Sequence, residues 1–247
     1  MHSKRFRLDR FLIKKMPLNN RDIRLLLAQQ KIILDHQPAI SMNQTVDEYT
    51  HIQADGKILQ ANKPSYIKLY KPKGIVSATK DDRHKTVIDL LPSPPPKNLH
   101  IVGRLDFNTT GLILLTNDGR WSRKLSLPES NIEKRYRAVL DKPIYQEVVD
   151  AFEMGMYFSF EKMTTLPAAL ILIDKNTVEV ILKEGKYHQI KRMFGHFQIE
   201  VLDLHRLSIG NLYLEKSLDE GESRDLTVRE ISGVFNLASS NDYQIEL

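Results

Sequence analysis

Cysteine is absent from all 247 residues. Its absence excludes disulfides, thiolate nucleophiles and zinc ribbons, and a reducing cytosol is the simplest compartment to expect. No segment approaches the ~18 consecutive apolar residues of a membrane-spanning helix. The N-terminal MHSKRFRLDRFLIKKM is basic but lacks the sustained apolar run and small-residue cleavage site of a secretory signal. A cytoplasmic protein with no membrane association is therefore expected. The eight histidines show no HExxH or similar spacing, so no metal is expected either. Internal repeats are lacking, and only the final ASSNDYQIEL reads as loosely tethered.

What is present is positive charge, unevenly distributed. Residues 1–31 carry nine Lys/Arg (Lys4, Arg5, Arg7, Arg10, Lys14, Lys15, Arg21, Arg24, Lys31) against Asp9 and Asp22, a net of +7 out of the chain total of +5. The attraction for a polyanion is concentrated at one end. Within that end, Leu8, Phe11 and Leu12 repeat at i, i+3, i+4, and after Met16-Pro17 so do Ile23, Leu26 and Leu27, with Asn19 or Asn20 available as a cap. Two short helices are expected, then small strands across residues 31–59 broken at Asp-His-Gln-Pro and Asp-Gly. The polar, proline-containing QANKPS at 60–65 reads as a linker, which divides the chain into 1–61 and 62–247.

The larger part mixes strands and helices without a regular βαβ rhythm, so an α+β domain with a mixed, largely antiparallel sheet is expected. Strands are assigned to YIKLY, GLILL, KRYRAVL and TVEVILKEG, with extended structure resuming at IVSAT. Helices are assigned to DGRWSRKL and to PIYQEVVDAF, the latter with Pro143 near its start, and LPSPPPKNLH is a proline-stiffened loop. In residues 184–197, Ile190, Met193, Phe194 and Phe197 share one helical face while His188, Lys191 and Arg192 gather opposite. Gly185, ahead of this helix, reads as a place for close backbone approach.

Three segments hold candidate functional groups. Asp106 precedes a turn, Asn108-Thr109-Thr110-Gly111, and then the apolar Leu112–Leu115, so a loop anchored by a core strand should hold its carboxylate. The neighbouring Arg104 can reach a phosphate or a base edge. Tyr136 lies on a predicted strand between Arg135 and Arg137, a position that serves either a core or a base-stacking face.

Arg7-Leu8-Asp9 followed by Arg21, Arg24 and Lys31-Ile32-Ile33 resembles the S4 RNA-binding domain, with Gln30 and Asp35-His36 standing where that family has Gly and Asn-Gly turns. The rest resembles the RsuA-like family of pseudouridine synthases, through YKPKG, GRLD-x-x-TTGL-x-LLTNDG, EK-x-Y and EG-x-x-HQ-x-KRMF in the family's order. The resemblance implies an S4-like domain followed by a catalytic domain with a central RNA-binding cleft. It implies isomerisation of a uridine within RNA: the N-glycosidic bond breaks, the uracil turns while bound, and C5 joins C1′ of the same ribose. By motif match Asp106 is the essential carboxylate, acting as a nucleophile at C1′ or C6 or assisting elimination at the sugar. Tyr136 matches the tyrosine that stacks on the uracil and helps remove the C5 proton. A carboxylate in a partly dry pocket needs a cationic partner, and the position that supplies it is Lys191, with Arg192 next to it. Arg104 is implied to hold the RNA open around a flipped nucleotide. Lys71 and Lys73 are expected to support the site or touch phosphate, and His188, Gln189, Arg192, Arg7, Arg21 and Arg24 to bind RNA. No organic or nucleotide cofactor is implied.

Trp121 and LPAAL at 166–170 look most like the branch that modifies one uridine of small-subunit 16S ribosomal RNA, on an assembling particle; a monomer is expected from the chain's size and the lack of an apolar seam. Large-subunit 23S or transfer RNA is the alternative target. From other classes, a non-catalytic ribosome-assembly protein would have little use for Asp106 with Tyr136. A metal-dependent nuclease built on Asp106 and Asp118 would lack the rest of its carboxylate cluster.

Overall fold

A computed structural model describes residues 5–159 and 161–235. The terminal ASSNDYQIEL lies outside them. The chain divides at Ser65/Tyr66 into two compact units, the first also taking in Asp118–Arg120.

In the first unit the two expected helices are Leu8–Lys15 and Asn20–Ala28. Leu8, Phe11, Leu12 and Ile23 meet Ile32 and Ile52 in one small core, while Arg21 and Arg24 face solvent. The second helix starts at a capping box: the Asn19 Oδ1 accepts from the backbone N–H of Arg21 (2.8 Å) and Asp22 (3.1 Å), and the Asp22 carboxylate accepts from Asn19 N–H (2.9 Å). The strands form an antiparallel sheet in the order Gln37–Pro38, Ile32–Leu34, Ile52–Ala54, Lys57–Gln60. Its first hairpin turns on Asp35 and His36, at φ 46° and 68°. Two successive positive φ values give the turn twist that Asn-Gly fills most easily. Here side chains offset the left-handed cost: the Asp35 Oδ1 accepts from His51 N–H (2.8 Å), and the His36 ring stacks on that of His51 (4.9 Å between centroids).

The second unit is built on a nine-stranded sheet. Its main path runs Ala169–Leu172, Thr177–Leu182, Lys134–Leu140, Val201–Ile209, Thr110–Thr116, Tyr66–Lys71, Ser223–Asp225. Every pairing is antiparallel except that of Val201–Ile209 with Thr110–Thr116. The α+β reading with a mixed, mostly antiparallel sheet holds. Thr110–Thr116 is buried along its whole length because both faces are covered. Ile113 and Leu115 enter one core with Phe152, Met193 and Phe194; Leu112 and Leu114 enter another with Trp121, Leu125 and Ile209. A strand covered on both sides reads as a continuous apolar run, and GLILL is one.

Several local expectations need correction. The IVSAT segment forms no strand, only an isolated bridge between Val76 and Thr86. The helix assigned to PIYQEVVDAF is Gln146–Met154, with Tyr145 at the N-cap position but no side-chain cap, so Pro143 precedes it. A Cβ on Gly185 would meet open space, so no close approach requires glycine there.

Gly111 is where close approach is real. It sits at φ +107°, and a Cβ would lie 2.3 Å from the carbonyl oxygen of Arg206 across the parallel pairing. Gly111→Ala is expected to cost about 3 kcal/mol or more through backbone strain and overpacking. Urea denaturation measures this, and a midpoint equal to wild type would show that the strands can part at no cost.

Candidate active site

Asp106 lies on the loop that delivers the chain into Thr110–Thr116, and that loop is tied down by its own backbone. Ser77 brackets the preceding residue: its Oγ donates to the Leu105 carbonyl (2.6 Å) and accepts from the Leu105 N–H (3.1 Å). Thr109 N–H donates to the Asp106 carbonyl (3.1 Å), and Gly74 N–H to the Phe107 carbonyl (3.0 Å). Beneath the loop the fully buried Lys71 ammonium donates to the carbonyls of Pro72 (3.0 Å), Phe107 (3.2 Å) and Thr109 (2.9 Å). Burial pulls this ammonium down to about 8, with the Asp106 carboxylate pulling it up and Arg206 adding to the fall. Lys71 has no exposed surface, so in this arrangement it does not reach a phosphate.

The carboxylate meets two groups from the next motif. The helix Gln189–Gly195 begins after His188, which adopts a left-handed conformation (φ 49°, ψ 32°). That turn carries the His188 Nε2 to 3.3 Å from the Asp106 Oδ1, an ion pair when the imidazole is protonated. One turn along, the Lys191 Nζ is 3.7 Å from the Oδ2. All three side chains are about one-third exposed, as suits groups that line an opening. Arg192 turns away: its guanidinium forms a bidentate pair with Glu161 (2.5 and 2.8 Å) and lies over the Phe158 ring at 3.9 Å. The cation beside Asp106 is thus Lys191.

Tyr136, from the sheet strand Lys134–Leu140, completes the cleft. It shares with Asp106, Arg104, His188 and Lys191 a cavity of about 80 Å³. Its hydroxyl is 3.4 Å from an Arg206 guanidinium nitrogen. Arg104 is exposed at the mouth of the cleft. Gln189 also lines it, but its amide is spent inside: Nε2 donates to Glu184 (2.7 Å), and Oε1 accepts from the Lys186 N–H (3.0 Å). Lys73 lies on the surface in an ion pair with Asp203 (2.6 Å), which raises its pKa. The exposed Arg7 is folded back onto Asp9 (2.6 Å), while Asp118 caps a helix through the Arg120 N–H (2.9 Å). Among the described residues no group of His, Asp and Glu could hold a metal ion, and no helix is long and apolar enough to cross a membrane.

Two residues at the site escaped the sequence reading. Arg206 is fully buried, donating through Nε to the Leu112 carbonyl (2.7 Å) and through a guanidinium nitrogen to the Gly103 carbonyl (3.3 Å). Its signal was phase: Leu204, Arg206 and Ser208 alternate on the buried side of one strand. Glu184, also buried, holds Gln189, the Leu166 N–H (2.8 Å) and Lys186 (2.8 Å), and so shapes the turn that presents His188.

Comparison with known proteins agrees with this geometry. Residues 65–196 match the family model described as RNA pseudouridylate synthase. The chain is similar to the ribosomal small subunit pseudouridine synthase A of Pseudomonas aeruginosa, 47% identical over 229 residues, 92% of this chain and 100% of that protein. The protein of the same name from Vibrio cholerae is 35% identical over 229 residues, 93% and 99% of the two chains. A solved structure described as a pseudouridylate synthase superposes with a TM-score of 0.67 at 33% identity, covering 93% of this chain and 99% of that one.

The support role of Lys71 makes a separable prediction. Lys71→Met orphans three carbonyls, at a cost of about 1–3 kcal/mol for each group left unsatisfied, but it also relieves a buried charge. Stability is expected to change by no more than about 2 kcal/mol while turnover falls more than about tenfold. The wild-type ammonium is charged in folded and unfolded chains below pH 8; between about 8 and 10.5 the unfolded chain holds the proton more tightly. Wild-type stability should therefore rise relative to the variant across that window, as read from urea midpoints at several pH values.

Proposed function

The chain belongs to the RNA pseudouridylate synthase family, and we propose that it converts a single uridine of small-subunit 16S ribosomal RNA to pseudouridine. The observation that carries the reading is the cleft itself, where Asp106, with Lys191 and His188 on its two oxygens, shares one cavity with Tyr136. The names of the Pseudomonas and Vibrio relatives, matched over nearly their full length, support the small-subunit target.

In this reading the target nucleotide leaves its stack and enters the cleft. Asp106 supplies the carboxylate on which glycosidic bond cleavage depends, as a nucleophile or by assisting elimination. Lys191 holds that carboxylate toward the reacting sugar and base. The uracil lies against Tyr136, is freed from N1 attachment, turns, and rejoins C1′ through C5. The C5 proton is then removed, with Tyr136 assigned to help, and the N1 freed from the sugar gains a proton, which balances the isomerisation. No atoms are gained or lost, so the reaction requires no external redox partner. Arg104 at the mouth, and Arg7, Arg21 and Arg24 on the N-terminal unit, contact phosphates and give binding its salt dependence. A 23S or transfer RNA target is the alternative.

Asp106→Asn is expected to abolish turnover while RNA affinity stays within a few-fold, since the amide keeps the shape and loses the charge. The direct assay is carbodiimide-treated primer extension across 16S and 23S RNA from cells lacking the gene, complemented with wild type or Asp106→Asn. Loss of one 16S stop, restored by wild type alone, is the expected result; survival of every stop would end the ribosomal reading. Lys191→Ala should lower kcat more than about tenfold, and Arg192→Ala less than about threefold, because only the first cation faces the carboxylate. Equal losses in single-turnover assays would contradict that division.

A further inference from the structure

Tyr187 has no part in the scheme above, yet it precedes and stacks on His188, the residue whose imidazole contacts Asp106. Its side chain is among the most exposed large hydrophobic groups of the described residues, at 74%. A lone exposed tyrosine needs no explanation. This one is not alone: its ring is stacked on the His188 ring, with centroids 3.9 Å apart and planes at 19°. The His188 ring is itself fixed, by the left-handed backbone at that residue and by the 3.3 Å contact with Asp106. A non-glycine residue held at positive φ is strained, and such strain concentrates where a side chain must be aimed. One face of Tyr187 is therefore backed by a rigid partner, and the side chain stands largely in solvent. The cavity that its stacking partner His188 lines is cationic, with Arg104, Lys186 and Lys191 around it.

We propose that Tyr187 is a stacking platform for the nucleobase next to the target uridine. The inference rests on the pseudouridine synthase reading and adds to it a second base-binding position. Its physical basis is what flipping leaves behind. When the target nucleotide is extruded, its neighbour loses a stacking partner. A flat aromatic face stacked on the residue that touches Asp106 returns part of that stacking, because any base can stack on an aromatic ring. Since every base has a π-face, the platform tolerates any neighbour and acts on binding of the opened strand. Chemistry at the uridine stays with Asp106 and Tyr136.

The test compares Tyr187→Ala, Tyr187→Leu and Tyr187→Phe on 16S RNA extracted from cells lacking the gene. Tyr187→Ala is expected to raise KM about tenfold, with kcat within about twofold of wild type. Tyr187→Phe should restore KM because it keeps the ring, and Tyr187→Leu should not, because it keeps apolar area without a π-face. A benzophenone amino acid at position 187 should crosslink to the RNA, and the reverse-transcription stop should fall beside the modified uridine. An unchanged KM for Tyr187→Ala, a loss confined to kcat, an equal rescue by leucine, or a crosslink distant from the modified site would each overturn the platform. In the first three of these outcomes the wild-type enzyme still forms pseudouridine, so the function stands while the platform falls. If wild type forms none on any RNA, the functional reading fails and takes the platform with it.

Discussion

Two full positive charges are buried under the loop that carries Asp106, and the second unit is organised around satisfying them. Lys71 and Arg206 are solvated by main-chain carbonyl oxygens: Pro72, Phe107 and Thr109 for the lysine, Leu112 and Gly103 for the arginine. An ammonium or guanidinium removed from water is tolerated only where its donors are saturated. Each carbonyl that performs this task is thereby fixed in place. The result is a loop whose backbone is determined on both sides of Asp106, with a positive potential beneath the carboxylate. The Lys71 ammonium feels both Asp106 and Arg206, so the three groups form one electrostatic unit.

The same arrangement explains why the parallel pairing is worth its constraint. Joining Thr110–Thr116 to Val201–Ile209 in parallel aligns Gly111 with Arg206, and only a residue without a Cβ allows the two backbones to approach so closely. That approach lets the Arg206 side chain reach the Leu112 and Gly103 carbonyls and lie near the hydroxyl of Tyr136 on the next strand. The loop bearing the carboxylate and the strand bearing the aromatic face are thus held through one arginine. Placing reacting groups on rigid elements, with partners that lock them, is what precise positioning of a bound base requires.

Opposite this rigid floor the cleft has a wall built differently. His188 and Lys191 come from the start of a short helix, shaped from behind by the buried Glu184 and Gln189. Polar groups that sequence alone would offer to RNA are used here as scaffolding. Gln189 faces Glu184, and Arg192 faces Glu161. The groups left to face the opening are therefore few, and each has a distinct direction.

Much of this protein was legible before folding. The helices from Leu8 and Asn20, the buried strand GLILL and the face shared by Ile190, Met193 and Phe194 all follow from periodicity, which reports burial directly, although Phe197 lies beyond the end of that helix. The motif around Asp106 also marked the carboxylate. Less legible was anything that depends on which carbonyls converge in space. Burial of Lys71, the internal use of Gln189, the turning of Arg192 toward Glu161 and the central place of Arg206 are decided by strand order and register. These bring residues as far apart as 71 and 109, or 112 and 206, within hydrogen-bonding distance. The sequence by itself determined the strongly periodic helices and strands, though not IVSAT, which forms no strand, and which carboxylate stands on an anchored loop, because local periodicity and turn chemistry encode these. Only the tertiary structure decided which cations are buried and which face the cleft, because the desolvation of a charge depends on neighbours that are distant in the chain.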